Sequence, residues 1–240
     1  MKAVIIAGGE GTRLRPLTYL KPKPLLPVLG VPMIERQIKK LNDSGVKDII
    51  INVGYRADAF ERYFKGRENI TLSYETTPLG TAGAVKLAEP LFQDCEDIIV
   101  LNADILTSFD YHNLISYHRL AHNDVTLFGV EVQDPSRFGL ILADSRTRNV
   151  EAFLEKIPLE SAKQYTDKFY INGGVYIMKP KLFKYFDSGK TLSFEKEVFP
   201  TLIMKKYVVR QLGFNGYWID VGTKQSYLKA NIDAIWEPNL

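Results

Sequence analysis

Ala3-Val4-Ile5-Ile6-Ala7 runs straight into Gly8-Gly9-Glu10-Gly11-Thr12-Arg13, and the reading of that junction decides the fold. An apolar run of strand length that breaks into a glycine-rich loop gathers backbone N–H groups and a guanidinium at one place, which suits a polyphosphate. Two familiar glycine loops are excluded. A Walker loop ends in Gly-Lys-Ser or Gly-Lys-Thr, and the Rossmann fingerprint opens directly into a helix. Here Arg13 is followed by Pro16, Pro22, Pro24 and Pro27. Proline breaks helices and lacks an N–H, so the spacing predicts a long extended segment to Leu29 that runs on along the site.

Beyond that segment, Met33, Ile34, Ile38 and Leu41 recur at helical spacing as far as Gly45, and Asp48–Val53 is a buried-strand run. The same periodicities predict helices over Ala57–Phe64 and Ala82–Leu91 and strands over Ile70–Tyr74 and Asp97–Asn102. Strand and helix alternate, which favours a mostly parallel sheet with helices on both faces. The second half is richer in strands: Val125–Val132, Leu140–Leu142, Ile171–Met178, Tyr207–Leu212 and Tyr217–Ile219. Helices are predicted near Pro180–Phe186, Phe194–Lys205 and Lys224–Trp236. The expected fold is α/β, a Rossmann-like three-layer arrangement around a mixed, mostly parallel central sheet. With 240 residues and 45% hydrophobic content, one domain spanning 1–240 is expected. Its second half is expected to add strands and a substrate-facing subregion to the same sheet.

A formal charge of +3, with basic residues dispersed among acidic ones, argues against nucleic-acid or membrane partners and suits anionic metabolites. Cys95 is the only cysteine, so neither a disulfide framework nor a thiolate metal site is expected. The N-terminal apolar run is short and has no cleavage pattern, and no segment approaches a membrane span, so the expectation is a cytoplasmic protein.

Open parallel sheets bind ligands beyond the carboxyl ends of their strands, which gives Asp104 and Asp220 first weight. Two carboxylates from distant strand ends suit a magnesium ion carrying phosphates, because magnesium keeps few protein oxygens. Arg13 and Lys23 can neutralise a pyrophosphate, and Lys156 is a third candidate cation. A phosphate nucleophile is already ionised at neutral pH, so positioning and charge neutralisation would replace a general base. That fits a chain with three histidines, of which His118 and His122 share a helix face and are expected at the surface.

These residues resemble those of the sugar-1-phosphate nucleotidyltransferases, the pyrophosphorylases that make nucleotide sugars. The likeness covers the whole chain through Gly8–Thr18, Lys23–Val28, Val31–Ile34, Pro78–Ala84, Asn102–Asp104, Glu155–Lys156, Asn172–Tyr176 and Trp218–Thr223. It implies that Ala7, Gly8, Gly9, Gly11, Thr12, Pro78, Gly80 and Thr81 hold the nucleotide, while Arg13 and Lys23 bind and polarise its phosphates. It also implies that Asp104 and Asp220 hold Mg2+, and that Gly139, Glu155, Lys156, Asn172 and Gly173 line a sugar-phosphate pocket. The implied reaction is in-line attack of a sugar-1-phosphate on the α-phosphorus of a nucleoside triphosphate, with release of pyrophosphate. The likeness further implies one catalytic domain, with a nucleotide-binding half of about 1–110 and a sugar-phosphate-binding half of about 111–240, and a homo-oligomer. One departure is Ala103, where the family usually has glycine, and its methyl would crowd the nucleotide sugar.

Base choice is expected at Glu75. Similar uridylyltransferases often carry glutamine there, whereas an ionised carboxylate only accepts and matches the adjacent N1–H and N2 donors of guanine. This favours GTP, and Gly83 stands where similar thymidylyltransferases often carry glutamine. The sequence looks closest to short mannose-1-phosphate and manno-heptose-1-phosphate guanylyltransferases, since Leu192–Pro200 resembles the latter, and no C-terminal β-helix is expected. Uridylyl or thymidylyl transfer is the alternative. A catalytically silent regulatory homologue would be free to lose Arg13, Lys23, Asp104 and Asp220, yet all four are present. A glycosyltransferase of related sheet would commonly carry a DxD motif, which the Asp104-Ile105-Leu106 sequence lacks.

Overall fold

The computed structural model describes residues 1–237. Strand β1 (Lys2–Ile6) enters the glycine loop, which continues through the single-turn helix α1 (Leu17–Leu20) to a small hairpin, β2 (Pro27–Val28) and β3 (Val31–Pro32). There follow α2 (Met33–Asp43), β4 (Ile49–Val53), α3 (Ala57–Phe64), β5 (Ile70–Tyr74), α4 (Gly80–Leu87), β6 (Ile98–Asn102) and β7 (Ile105–Thr107). The second half comprises α5 (Tyr111–Leu120), β8 (Val125–Val132), β9 (Gly139–Ala143), β10 (Val150–Glu155), α6 (Leu159–Ala162) and β11 (Phe169–Met178). It ends with α7 (Phe199–Met204), β12 (Val209–Phe214), β13 (Trp218–Asp220) and α8 (Lys224–Asp233).

The central strands are parallel: β1 lies between β4 and β6, with β5 beyond β4. Strand β11 runs antiparallel to β6 and attaches the second half, pairing with both β8 and β9. Alternate residues explain the three layers. Ala3, Ile5, Ile51 and Leu101 join the core covered by α2, α3 and α5, whereas Val4, Ile50 and Val100 join the core under α4 and α7. A strand buried on both faces needs a continuous apolar run, and each fully buried Ile, Leu or Val contributes about 1.5–3 kcal/mol. A smaller cluster of Leu14, Leu26, Leu106, Ile219 and Val221 pins the extended loop to β7 and β13. No helix among the described residues is long and apolar enough to cross a membrane.

Four expectations are corrected. The proline-rich stretch is not extended throughout: it holds 3-10 turns at Thr12–Leu14 and Lys23–Leu25 around α1. Proline's missing N–H is harmless in the first turn of a helix, where that donor has no partner anyway. The helix expected over Ala82–Leu91 starts at Gly80 and stops at Leu87, and Pro90 lies in a separate 3-10 turn. Likewise Phe194–Lys205 divides into one π turn, Phe194–Val198, and α7, because Pro200 cannot donate to the carbonyl four residues back. Finally, His118 is buried, with Nδ1 2.8 Å from Thr126 Oγ1 and Nε2 3.2 Å from Asp97 Oδ1. His122 lies past the end of α5.

Candidate active site

The parallel strands end at one edge, where Ala7 N–H donates to Asn52 O (2.9 Å) and Ala103 N–H donates to Ile6 O (3.1 Å). The glycine loop and the turn carrying Asp104 therefore emerge side by side. After that turn, β7 pairs antiparallel with β13 so that Ile105 faces Asp220, and Val221 N–H donates to Asp104 O (2.9 Å). This short ladder sets Asp220 beside Asp104. The Lys23 ammonium ion-pairs with Asp104 Oδ2. Gly11 makes the approach possible: its φ of 61° is left-handed, and a Cβ there would lie 3.1 Å from the Lys23 side chain. Arg13 reaches the same place from the loop, and a Cβ on Gly222 would lie 2.8 Å from its Nη2.

Asp220 is the most perturbed acid of this group. Burial, and then the charge of Asp104, push its carboxyl up to about 6, against the downward pull of Lys23 and Arg13. Its Oδ1 is buried and has no hydrogen-bond partner. A buried carboxylate oxygen without a donor is costly unless a cation completes it. Among the described residues no three His, Cys, Asp or Glu side chains form a metal cage. The donor set thus fits an ion that takes two carboxylates and leaves its other positions to phosphate and water.

Two cavities meet here. One, of about 200 Å³, is lined by Ala7, Gly9, Lys23, Thr81 and Ala103. The other, of about 320 Å³, is lined by Gly139, Glu155, Asn172, Glu195, Trp218 and Asp220. Asn102 and Asp104 belong to both. Asn102 and Asp104 therefore stand where the contents of the two cavities would meet.

The remaining predicted residues fall around these cavities. Glu75 lies over the glycine loop: a Cβ on Gly8 would be 2.6 Å from Glu75 Oε2, while Oε1 accepts from Leu79 N–H. Gly8 O accepts from Tyr55 N–H (3.0 Å), and Gly11 O accepts from the Thr18 hydroxyl (3.0 Å). The Pro78–Ala84 segment is clamped to Leu192, whose N–H donates to Leu79 O (2.8 Å) and whose carbonyl accepts from Ala82 N–H (2.9 Å) and Gly83 N–H (3.2 Å). Gly80, at φ 71°, and Gly83 allow that approach, since a Cβ on either would sit 2.6 Å from a carbonyl oxygen of Leu192 or Lys190. The bare position at Gly83 is therefore explained by packing. Gly173 offers its carbonyl to Trp218 Nε1–H (3.0 Å). Lys156 is exposed, has φ 50°, and places its ammonium 3.5 Å from Glu155 Oε1. Thr12 lies in the first 3-10 turn and lines neither cavity.

Sequence reasoning missed Asn102, Ser193, Glu195 and Trp218. Asn102 directly precedes a predicted loop, and its Oδ1 is buried without a partner. Ser193 followed by Glu195 and Glu197 carries a helix-capping signal that places them at a helix start, but not in a pocket.

A family model described as nucleotidyl transferase matches residues 2–235. A mannose-1-phosphate guanyltransferase of Yarrowia lipolytica is 38% identical over 95% of this chain and 62% of its own length. One from Saccharomyces cerevisiae is 37% identical over 97% of this chain and 64% of its own length. The chain thus spans a little under two thirds of these curated relatives. The crystal structure of HddC from Yersinia pseudotuberculosis superposes with a TM-score of 0.80 at 30% identity, covering 97% of this chain and 98% of that one. Its complex with GMP-PN gives a TM-score of 0.78.

Proposed function

The chain belongs to the nucleotidyl transferase family, and on that premise we propose that it transfers GMP from GTP to a hexose- or heptose-1-phosphate, releasing pyrophosphate. The observation that carries this reading is the sharing of Asp104 by both cavities, with Asp220 alongside. A triphosphate laid along the glycine loop and a sugar-1-phosphate in the second cavity would bring α-phosphorus and attacking oxygen together at Asp104.

The chain's own residues then do electrostatic and geometric work. Arg13 and Lys23 neutralise the triphosphate, so that a dianionic nucleophile can approach it. Gly9 lets the phosphates approach the backbone closely. Gly139, Glu155, Lys156 and Asn172 surround the sugar-phosphate. Asp104 and Asp220 would hold magnesium, whose charge, when bound, would polarise the α-phosphoryl group. Lys23, paired with Asp104, would turn to phosphate.

Guanine is favoured by Glu75, whose Oε2 is left to accept from a base after Oε1 has taken Leu79 N–H. It is favoured also by the names of the relatives and by the guanine nucleotide bound to HddC. The same names put mannose-1-phosphate first among sugars. The reading includes one catalytic domain with a nucleotide half and a sugar-phosphate half, a cytoplasmic location and self-association into a homo-oligomer. The test is pyrophosphate release from GTP, UTP, dTTP, CTP and ATP crossed with mannose-, glucose-, N-acetylglucosamine- and manno-heptose-1-phosphates. Release with GTP and a manno-configured sugar is expected; release with UTP or dTTP alone would discard the Glu75 argument.

A further inference from the structure

The sugar-side cavity holds a carboxylate with unusually fixed surroundings. Glu195 lies in the single π turn Phe194–Val198, a geometry often found at functional sites. Ser193 caps that turn, its hydroxyl oxygen accepting from Glu195 N–H (3.2 Å) and Lys196 N–H (3.3 Å), and its O–H donates to Glu195 Oε2 (2.7 Å). Glu195 Oε1 accepts from Asn172 Nδ2 (2.5 Å) and from the Tyr176 hydroxyl (3.0 Å). Tyr176 is fully buried, and burial together with the Glu195 charge holds its hydroxyl protonated, so it remains a donor.

Asn172 is engaged on every side. Its amide nitrogen also donates to Tyr176 Oη (2.7 Å), and its oxygen accepts from Gly174 N–H (3.0 Å). That last bond fixes which end of the amide faces which way, and leaves no amide hydrogen for a ligand. Glu195 differs. A carboxylate has about four acceptor directions, and Asn172, Tyr176 and Ser193 fill three of them. The remaining one is on Oε2, and Glu195 lines the cavity.

We propose that Glu195 reads the sugar: its Oε2 accepts a hydrogen bond from one ring hydroxyl of the sugar-1-phosphate, and Asn172 and Tyr176 act through it as positioning residues. This rests on the nucleotidyl-transfer reading of the two cavities. A carboxylate held from three sides cannot follow a displaced hydroxyl, so it discriminates by position on the ring. A site built to bond a hydroxyl rejects the analogue that lacks it far more strongly than an apolar pocket rejects an extra group.

The experiment compares the 2-, 3-, 4- and 6-deoxy forms of mannose-1-phosphate in the wild type and in Glu195→Gln, with the triphosphate held constant. One deoxy form should lose at least about tenfold in kcat/KM in the wild type. Glu195→Gln should lose a similar factor with the parent sugar, lose nothing further with that deoxy form, and keep its KM for the triphosphate. Equal deoxy penalties in both proteins, or a matching rise in the triphosphate KM, would overturn the assignment. Tyr176→Phe keeps the ring packing against Phe194 and Phe199 and removes one donor to Glu195. It should show a reduced penalty at the same ring position, and it decides the question if Glu195→Gln fails to fold. A folded wild type that turns over no sugar phosphate with any triphosphate would bring down the nucleotidyl-transfer reading itself, and this inference with it.

Discussion

The two walls of the site are built from different materials. The wall proposed to face the nucleotide is rich in small residues, Ala7, Gly9, Thr81 and Ala103, beside Lys23. The wall proposed to face the sugar is richer in polar and aromatic side chains: Asn172 donates to Glu195 and Trp218 to the β11 backbone at Gly173, with Glu155 alongside. On the proposed reading, the difference follows from what each would recognise. Phosphate is a charge, which backbone N–H groups and flexible cations satisfy from many directions. A sugar is a stereochemical pattern of hydroxyls, which needs directional partners fixed in advance.

The largest effect is expected where the walls join. Asp220→Asn removes charge with little change in volume, and should lower kcat by about 10²-fold or more while the fold persists, as read by pyrophosphate release and melting temperature. Wild-type turnover would show that the junction is not the reacting centre. Around the wall proposed to face the nucleotide, two glycine substitutions should part company. Gly80→Ala forces a Cβ into a left-handed position 2.6 Å from Leu192 O, and should cost about 1–3 kcal/mol in denaturant unfolding. Gly9→Ala meets nothing within 4 Å, so stability should stay within about 0.5 kcal/mol while the triphosphate KM rises. If both lose stability equally, the wall is a packing device more than a binding surface.

A pH prediction isolates the junction. The folded Asp220 carboxyl stands at about 6, above its unfolded value of about 3.9. Between those values the unfolded chain ionises first, so this group's contribution to stability falls as pH rises from about 4 to about 6 and is level above. Asp220→Asn lacks that slope. Its stability relative to wild type, measured by urea unfolding in EDTA, should therefore climb across the window, and a flat difference would contradict the burial argument. The smallest effect is expected from Gly222→Ala, whose methyl would sit 2.8 Å from the flexible end of Arg13 and 3.0 Å from Asp220 Oδ1. It should raise the triphosphate KM a few-fold and leave the sugar KM alone.

The contrast also explains what was legible in the sequence. The glycine loop is contiguous, so Gly8–Arg13 suggest a phosphate site without coordinates, and the strand-end rule singles out Asp104 and Asp220, which the structure sets side by side. The fold followed because Ile49–Val53 and Ile98–Asn102 are runs that only a strand buried on both faces can carry. Glu195 was not legible, because two of its partners, Asn172 and Tyr176, sit on β11 and their meeting depends on an irregularity there. The pairing of β11 with β8 shifts register between Asn172 and Tyr176, and such a bulge re-aims side chains in a way that no periodicity records. His118 misled for a related reason: the helix face could be read, but not the Asp97 that the sheet brings beneath it. The prolines misled because a 3-10 turn tolerates them where a longer helix does not.

The clamp around Leu192 has a practical corollary for redesign. Three backbone bonds stitch it to the nucleotide-side Pro78–Ala84 segment, and Phe194 N–H reaches Thr81 Oγ1 (3.2 Å) from the same stretch. On the proposed reading, donor and acceptor preferences are thus not independent modules. A graft of residues 190–198 from an enzyme with another sugar preference would drag the nucleotide loop with it, so a chimera should exchange both segments together, with the glycines at 80 and 83 travelling as part of the insert.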